Sequence, residues 1–298
     1  MKLHGLSTHR TGWSTLTLRT GAIVAVLLVS PGCGNAYAPS ERVASNSQEI
    51  IGGSEAWLDS AAAVRTTQCL SAPWHCDGVL ISPTAVLTAA HCVDHIADDK
   101  HPNGVDPTLA TTFSVAIGCH DITSPNCVWR AVSQITEHSG NQPLAEMYPN
   151  DIAVMTLTTP VSVAPSRLLY QARMSEVKIG NLVTAYGWGL TALGGNLSPV
   201  LRSADIPVFQ VQPNFVSVKW VPARGVSTAS GDSGGPAVVL RDGERFVVGI
   251  NSSTTSDEEC WESSVPGYFQ WIKDQVPNLP AQSYLPSAQI AAILLPIS

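Results

Sequence analysis

The sequence predicts an all-β fold, a barrel or a sandwich, and three observations carry that prediction. Short apolar runs recur at strand spacing from Ile50 onward: Gly78–Ile81, Ala85–Thr88, Phe113–Ile117, Ile152–Leu157, Leu182–Tyr186, Ala237–Leu240 and Phe246–Ile250. Turn residues separate them, drawn from 23 glycines and 21 prolines, and short strands punctuated this way read as all-β. Long amphipathic helical stretches are missing, apart from a short candidate around residues 268–276. No internal repeat is present.

Bulk composition narrows the function classes. The chain has 298 residues, enough for one large all-β unit or two medium domains. The net charge is −7 and lysine and arginine form no cluster, which argues against a nucleic acid partner, since a phosphate-binding face needs clustered cations. The stretch 94–109, with Asp94, Asp98, Asp99 and Asp106, reads as an exposed acidic loop rather than a calcium site.

The N-terminus reads as an export signal. Lys2, Arg10 and Arg19 precede the apolar run Gly21–Val29, which is too short to span a bilayer but suits a signal-peptide core. Two processing outcomes compete. Ala36-Tyr37-Ala38 offers small residues for cleavage after Ala38, whereas Ser30-Pro31-Gly32-Cys33 resembles a weak lipobox, without the usual leucine, that lipidates Cys33. A membrane partner follows only from the second route. Either route removes Cys33 from the seven cysteines and leaves six, an even number that suits disulfides in an oxidising compartment. No Cys-x-x-Cys metal pair occurs. Residues 1–38 are thus assigned to the signal peptide and 39–49 to a pro-segment or linker. The tail 277–298 ends in the apolar piece Ile290–Leu295, too short to cross a membrane.

Peptide hydrolysis by serine needs a base beside a weak hydroxyl nucleophile and a carboxylate to orient that base. It also needs N–H donors for the oxyanion and a backbone that comes close to the substrate. Gly231-Asp232-Ser233-Gly234-Gly235-Pro236 suits the last two needs, because glycines on both sides of Ser233 permit a tight turn and leave amides unshielded. Alone, such a segment is an ordinary turn. In this chain Thr88-Ala89-Ala90-His91-Cys92 also presents a histidine after an apolar strand, and Asn150-Asp151-Ile152-Ala153-Val154 opens another strand with an aspartate. Glu49-Ile50-Ile51-Gly52-Gly53 follows the pro-segment, and Tyr186-Gly187-Trp188-Gly189 lies between the aspartate and the serine.

These segments, in the order His, Asp, Ser, resemble the chymotrypsin/trypsin family of serine proteases from Ile50 to about Val276, a chain order that separates it from subtilisin-like and α/β-hydrolase enzymes. The resemblance implies two six-stranded antiparallel β-barrels packed face to face over residues 50–276, the site between them, and a short C-terminal helix entered at Val265–Ile272. It implies an endopeptidase acting on protein or peptide substrates with no metal or organic cofactor. Ser233 would be the nucleophile, His91 the general base and Asp151 its orienting carboxylate. The N–H groups of Gly231 and Ser233 would form the oxyanion hole, and Ser252 would support Asp151 and contact substrate backbone. Cleavage between Glu49 and Ile50 would create an ammonium that pairs with Asp232. Cys76 and Cys92 fit the family bridge of the histidine loop.

Cys119 and Cys127 enclose a short loop and pair locally, while Cys69 and Cys260 either pair by elimination or stay apart. Four positions depart from the family pattern. Glu49 stands where a trypsin-like activator needs Arg or Lys, and Ala229 replaces a cysteine four residues before the nucleophile. Ser227 occupies the pocket floor where a trypsin has aspartate, and Cys260 falls near a glycine that keeps the pocket open. The pocket residues imply small or medium apolar side chains before the cut. The departures keep a second class in view: a catalytically inactive protease-fold binding protein or surface lipoprotein.

Overall fold

The computed structural model describes residues 50–67, 73–94, 110–141, 149–192, 195–213, 215–219, 226–254 and 259–280. Two strand systems carry the chain. The first is a closed antiparallel barrel built from β2 (Ala61–Thr66), β3 (Cys76–Ser82), β4 (Ala85–Thr88), β5 (Phe113–Ile117), β6 (Trp129–Glu137) and β7 (Ala153–Leu157), in the order β2-β3-β4-β7-β6-β5. Ala62↔Gly78 and Ala62↔Ile117 set the register on the two sides of β2. Every residue of β3 and β4 is buried, Asp77 and Ser82 of β3 included. Val79, Leu80, Ile81, Val86, Leu87, Phe113 and Met155 are buried, on the two faces of the barrel's strands.

The second system is a mixed sheet. It holds β1 (Ser54–Glu55), β8 (Arg167–Leu168), β9 (Leu182–Gly187), β10 (Arg202–Val211), β11 (Phe215–Lys219), β12 (Pro236–Arg241), β13 (Glu244–Thr254) and β14 (Glu259–Ser264). Antiparallel pairing runs β1-β10-β11-β14-β13-β12-β9, and β9 pairs back onto β10 through Arg202↔Gly187 to Pro207↔Leu182. Strand β8 adds to β13 in parallel, through Phe246↔Arg167 and Val247↔Leu168, and makes the sheet mixed. Strand β10 alternates cleanly: Ala204, Ile206 and Val208 are buried while Asp205 and Phe209 face solvent, the period-2 pattern of a half-covered strand. The observed fold is therefore mostly β, with a closed six-stranded barrel and a second, mixed sheet.

A 3-10 turn spans Gln171–Glu176, helix α1 spans His91–Asp94, and helix α2 spans Val265–Gln275. The sequence placed a helix around 268–276; it starts three residues earlier because Ser264 caps it, its hydroxyl accepting the Gly267 N–H at 3.2 Å, and Pro266 sits in the first turn. Its buried face carries Val265, Tyr268 and Ile272. No helix among the described residues is long and apolar enough to cross a membrane. Residues 1–49, most of the acidic stretch 94–109, Cys69 and the apolar end of the tail lie outside the described residues.

Leu87 is fully buried in the barrel, whereas Leu240 is 64% exposed. Leu87→Ala is expected to cost about 2–5 kcal/mol of folding stability, and Leu240→Ala less than about 0.5 kcal/mol. Urea unfolding of the two variants checks this contrast.

Candidate active site

His91 starts helix α1 directly after β4, so the barrel sets its backbone. Asp151 precedes β7, the neighbour of β4, with Thr88 opposite Ala153. This pairing brings the two side chains together: His91 Nδ1 and Asp151 Oδ2 are 2.7 Å apart. The His91 backbone N–H donates to Asp151 Oδ1 at 2.8 Å. From the second sheet, the Ser252 hydroxyl donates to Asp151 Oδ2 at 2.6 Å, and the Ser263 hydroxyl to the Asp151 carbonyl oxygen at 2.7 Å. Asp151 is fully buried. Burial alone would raise its carboxyl pKa, but the His91 ring and the hydrogen bonds from His91 and Ser252 outweigh it and hold the group below the usual range. One residue earlier, Asn150 is in the left-handed region at φ 60, a conformation Asn tolerates better than most residues. Its side chain donates to the Gly140 carbonyl at 2.8 Å and accepts the Tyr268 hydroxyl at 3.1 Å. Helix α2 thus steadies the approach to Asp151.

Ser233 sits on the turn that leads into β12. Its carbonyl oxygen accepts the Asp77 N–H at 2.7 Å and lies 3.5 Å from Cys92 Sγ, next in sequence to His91. Gly234, at φ 82, has backbone too close to the histidine strand for a side chain: a β-carbon there would lie 3.1 Å from the Ala89 nitrogen and collide with Thr88. Gly231, at φ 99, lies similarly close to Gly189. The serine turn and the histidine segment are thereby in backbone contact across the two strand systems.

The Cys76–Cys92 disulfide, with Cα atoms 6.0 Å apart, joins β3 to helix α1, and Cys119–Cys127 closes a short loop. Cys76 Sγ, Cys92 Sγ and a ring nitrogen of His91 lie within 4.8 Å of one another, but both sulfurs are committed to the bridge and offer no thiolate to a metal. Ser227 is buried, its hydroxyl donating to the Thr228 carbonyl at 2.9 Å and lying 3.4 Å from Cys260 Sγ.

Ile50 is buried, and the Ile51 carbonyl accepts the Ser227 N–H at 2.8 Å. Asp232 is buried as well, with Oδ1 bonded by the Gly189 N–H and Oδ2 by the Ala229 N–H, both at 2.8 Å. Burial pushes its pKa up to about 7 against these two bonds. Two further buried acids, Asp77 and Glu262, escaped the sequence reading. Among the described residues Glu262 has no hydrogen-bond partner on either oxygen, and burial followed by the Asp232 charge pushes it up to about 8. The only sequence signal for either was an acid inside an apolar strand.

This geometry belongs to a recognised class. The trypsin family model matches residues 50–277, and the chain belongs to that family of serine proteases. It is 31% identical to brachyurin of Leptuca pugilator over 63% of this chain and 80% of that protein. It is 29% identical to a trypsin of Saccharopolyspora erythraea over 74% of this chain and 92% of that one. The proclotting enzyme of Tachypleus tridentatus is 28% identical over 76% of this chain, which spans 64% of that longer protein. The protein is a serine endopeptidase.

The raised acids give a pH signature. Unfolded carboxyls titrate near 4 (about 3.9 for Asp and 4.3 for Glu). The stability carried by Asp232 and Glu262 is therefore full at low pH and is lost as pH rises through about 7 and about 8. The urea midpoint is expected to be lower at pH 8 than at pH 5, and Glu262→Gln to narrow the difference.

Proposed function

We propose that the chain hydrolyses peptide bonds through Ser233, His91 and Asp151. The observation that carries this reading is the line of groups from Ser252 through Asp151 to His91, with Oδ2 at 2.6 and 2.7 Å from its two partners, beside the Ser233 turn. Asp151 holds the His91 Nδ1 proton and leaves Nε2 to act on the serine hydroxyl. His91 takes the Ser233 proton as Oγ attacks the scissile carbonyl, forming a tetrahedral oxyanion. The same proton passes to the leaving amine as the acyl-enzyme forms, and water reverses the sequence. The N–H groups of Gly231 and Ser233 receive the oxyanion; the positive φ of Gly231 supports this role, because it turns the peptide as few side-chain-bearing residues allow. No cofactor enters this chemistry.

Ser227 stands at the pocket floor where a trypsin has aspartate, and the Cys260 sulfur, 3.4 Å from its hydroxyl, takes up space that a glycine would leave open. Small or medium apolar side chains before the cut fit best, in a protein or peptide substrate. Six strands of the mixed sheet serve as the second barrel, with the site between the two. Cleavage at Glu49–Ile50 would release an ammonium for Asp232, a buried carboxylate with amide partners and a need for a counter-charge. The two disulfides fit an oxidising, extracytoplasmic compartment, reached through the signal 1–38, by release after Ala38 or by lipidation of Cys33.

Ser233→Ala is expected to abolish labelling by a serine-directed phosphonate and to lower kcat by about 10⁶-fold; labelling that persists in the variant overturns the assignment. A peptide panel is expected to favour Ala, Val or Leu before the cut over Arg, and clear Arg preference refutes the pocket reading. N-terminal sequencing of the active form is expected to begin at Ile50; an active chain beginning at Pro39 rules out activation at that bond.

A further inference from the structure

The chemistry above makes no use of Asp77, yet this fully buried residue of β3 reaches three parts of the site. Its N–H donates to the Ser233 carbonyl at 2.7 Å. Its carbonyl accepts the Thr88 hydroxyl at 2.7 Å, three residues before His91. Its carboxyl Oδ2 accepts the Trp188 N–H at 2.9 Å, at the end of β9 in the other strand system. The next amide along, Gly189, donates to Asp232 Oδ1 at 2.8 Å. Two consecutive amides are therefore held by two carboxyl groups, one from the barrel and one from the serine turn. Gly187 leaves room for both: a β-carbon there would run into oxygens of Asp77 and Asp232. Gly189 in turn supports Gly231, whose β-carbon, if present, would lie 2.8 Å from the Gly189 Cα.

We propose that Asp77 is a positioning residue for the hydrolysis: its carboxyl group pins the Trp188 amide, so that Trp188–Gly189 forms a fixed seat for the Gly231–Asp232–Ser233 turn. The inference rests on the role given above to that turn. The placement is expensive, because a dry carboxyl faces the like-charged Asp232. Burial, then that charge, pushes Asp77 well above the usual carboxylate range. Protonated or not, the carboxyl keeps an acceptor oxygen, which an apolar residue at this position lacks. Without it the Trp188 N–H is buried and unpaired, and the seat relaxes. Small misplacements at donors that must meet an oxyanion cost on the order of 10²-fold in rate.

The test compares Asp77→Ala and Asp77→Asn with the wild-type chain, all processed identically. Three readouts are used: hydrolysis of a quenched peptide with Ala before the cut, phosphonate labelling, and hydrogen–deuterium exchange of the segment Tyr186–Leu190. Asp77→Ala is expected to lower kcat and the labelling rate by about 10- to 100-fold, with KM changed less than about two-fold. The Trp188 amide should exchange at least about tenfold faster, since its protection comes from that bond. Asp77→Asn keeps a carbonyl acceptor and is expected to recover most of the lost kcat and protection. Wild-type kcat and protection in Asp77→Ala overturn the proposal, as does an Asp77→Asn variant no better than Asp77→Ala. A wild-type chain that neither hydrolyses nor labels counts against the triad, and the exchange experiment then decides the Asp77 seat by itself.

Discussion

A carboxylate with no access to water is tolerable only when donors replace the water, and Asp151 is the group on which that condition falls hardest. Three donors meet its oxygens and a fourth meets its backbone carbonyl. The donors come from both strand systems: His91 from the barrel side, Ser252 and Ser263 from the mixed sheet. Neither half alone supplies the full set. The cost of burying one charge is thus met only when the two halves are docked, and the docking that satisfies Asp151 also orients the imidazole. Stability and the orientation of the imidazole are coupled here through one side chain, because loosening the interface strands a charge and frees the histidine together.

Much of this was legible in the sequence, for identifiable reasons. Apolar runs such as Ala85–Thr88 and Phe113–Ile117 became strands because turn residues bound them and no helical period competes. His91, Asp151 and Ser233 stood out because each sits at a strand end in a fixed chain order, and the structure bonds His91 to Asp151 and sets the Ser233 turn beside them. The parallel addition of β8 to β13 was not legible: a two-residue pairing has no periodicity. Nor were Asp77 and Glu262. In Cys76–Ser82 an acid between Cys and Gly gives no hint of which amide it will meet, since Trp188 lies more than a hundred residues away. The sequence marks groups that share a motif; it is silent on groups that meet only through tertiary packing.

Asp77, Asp232 and Glu262 show that the largely apolar interior also holds acids. Gly187 and Gly249 have no β-carbon where these acids sit: one at Gly249 would be 2.7 Å from the Glu262 Cβ. Small residues here make room for polar groups rather than for bends in the chain. Burial, and for Asp77 and Glu262 the neighbouring Asp232 charge as well, raises the pKa of all three acids, so the electrostatics of this region follow the surrounding pH.

The Cys76–Cys92 bridge has a further implication. It ties the strand that carries Asp77 to the helix that carries His91, so the partner of the Ser233 carbonyl and the imidazole-bearing residue share one covalent link. In a reducing cytosol that link does not persist, and the placement of His91 beside the Ser233 turn is then left to non-covalent packing alone. The covalent order of this corner of the fold is thus tied to an oxidising environment.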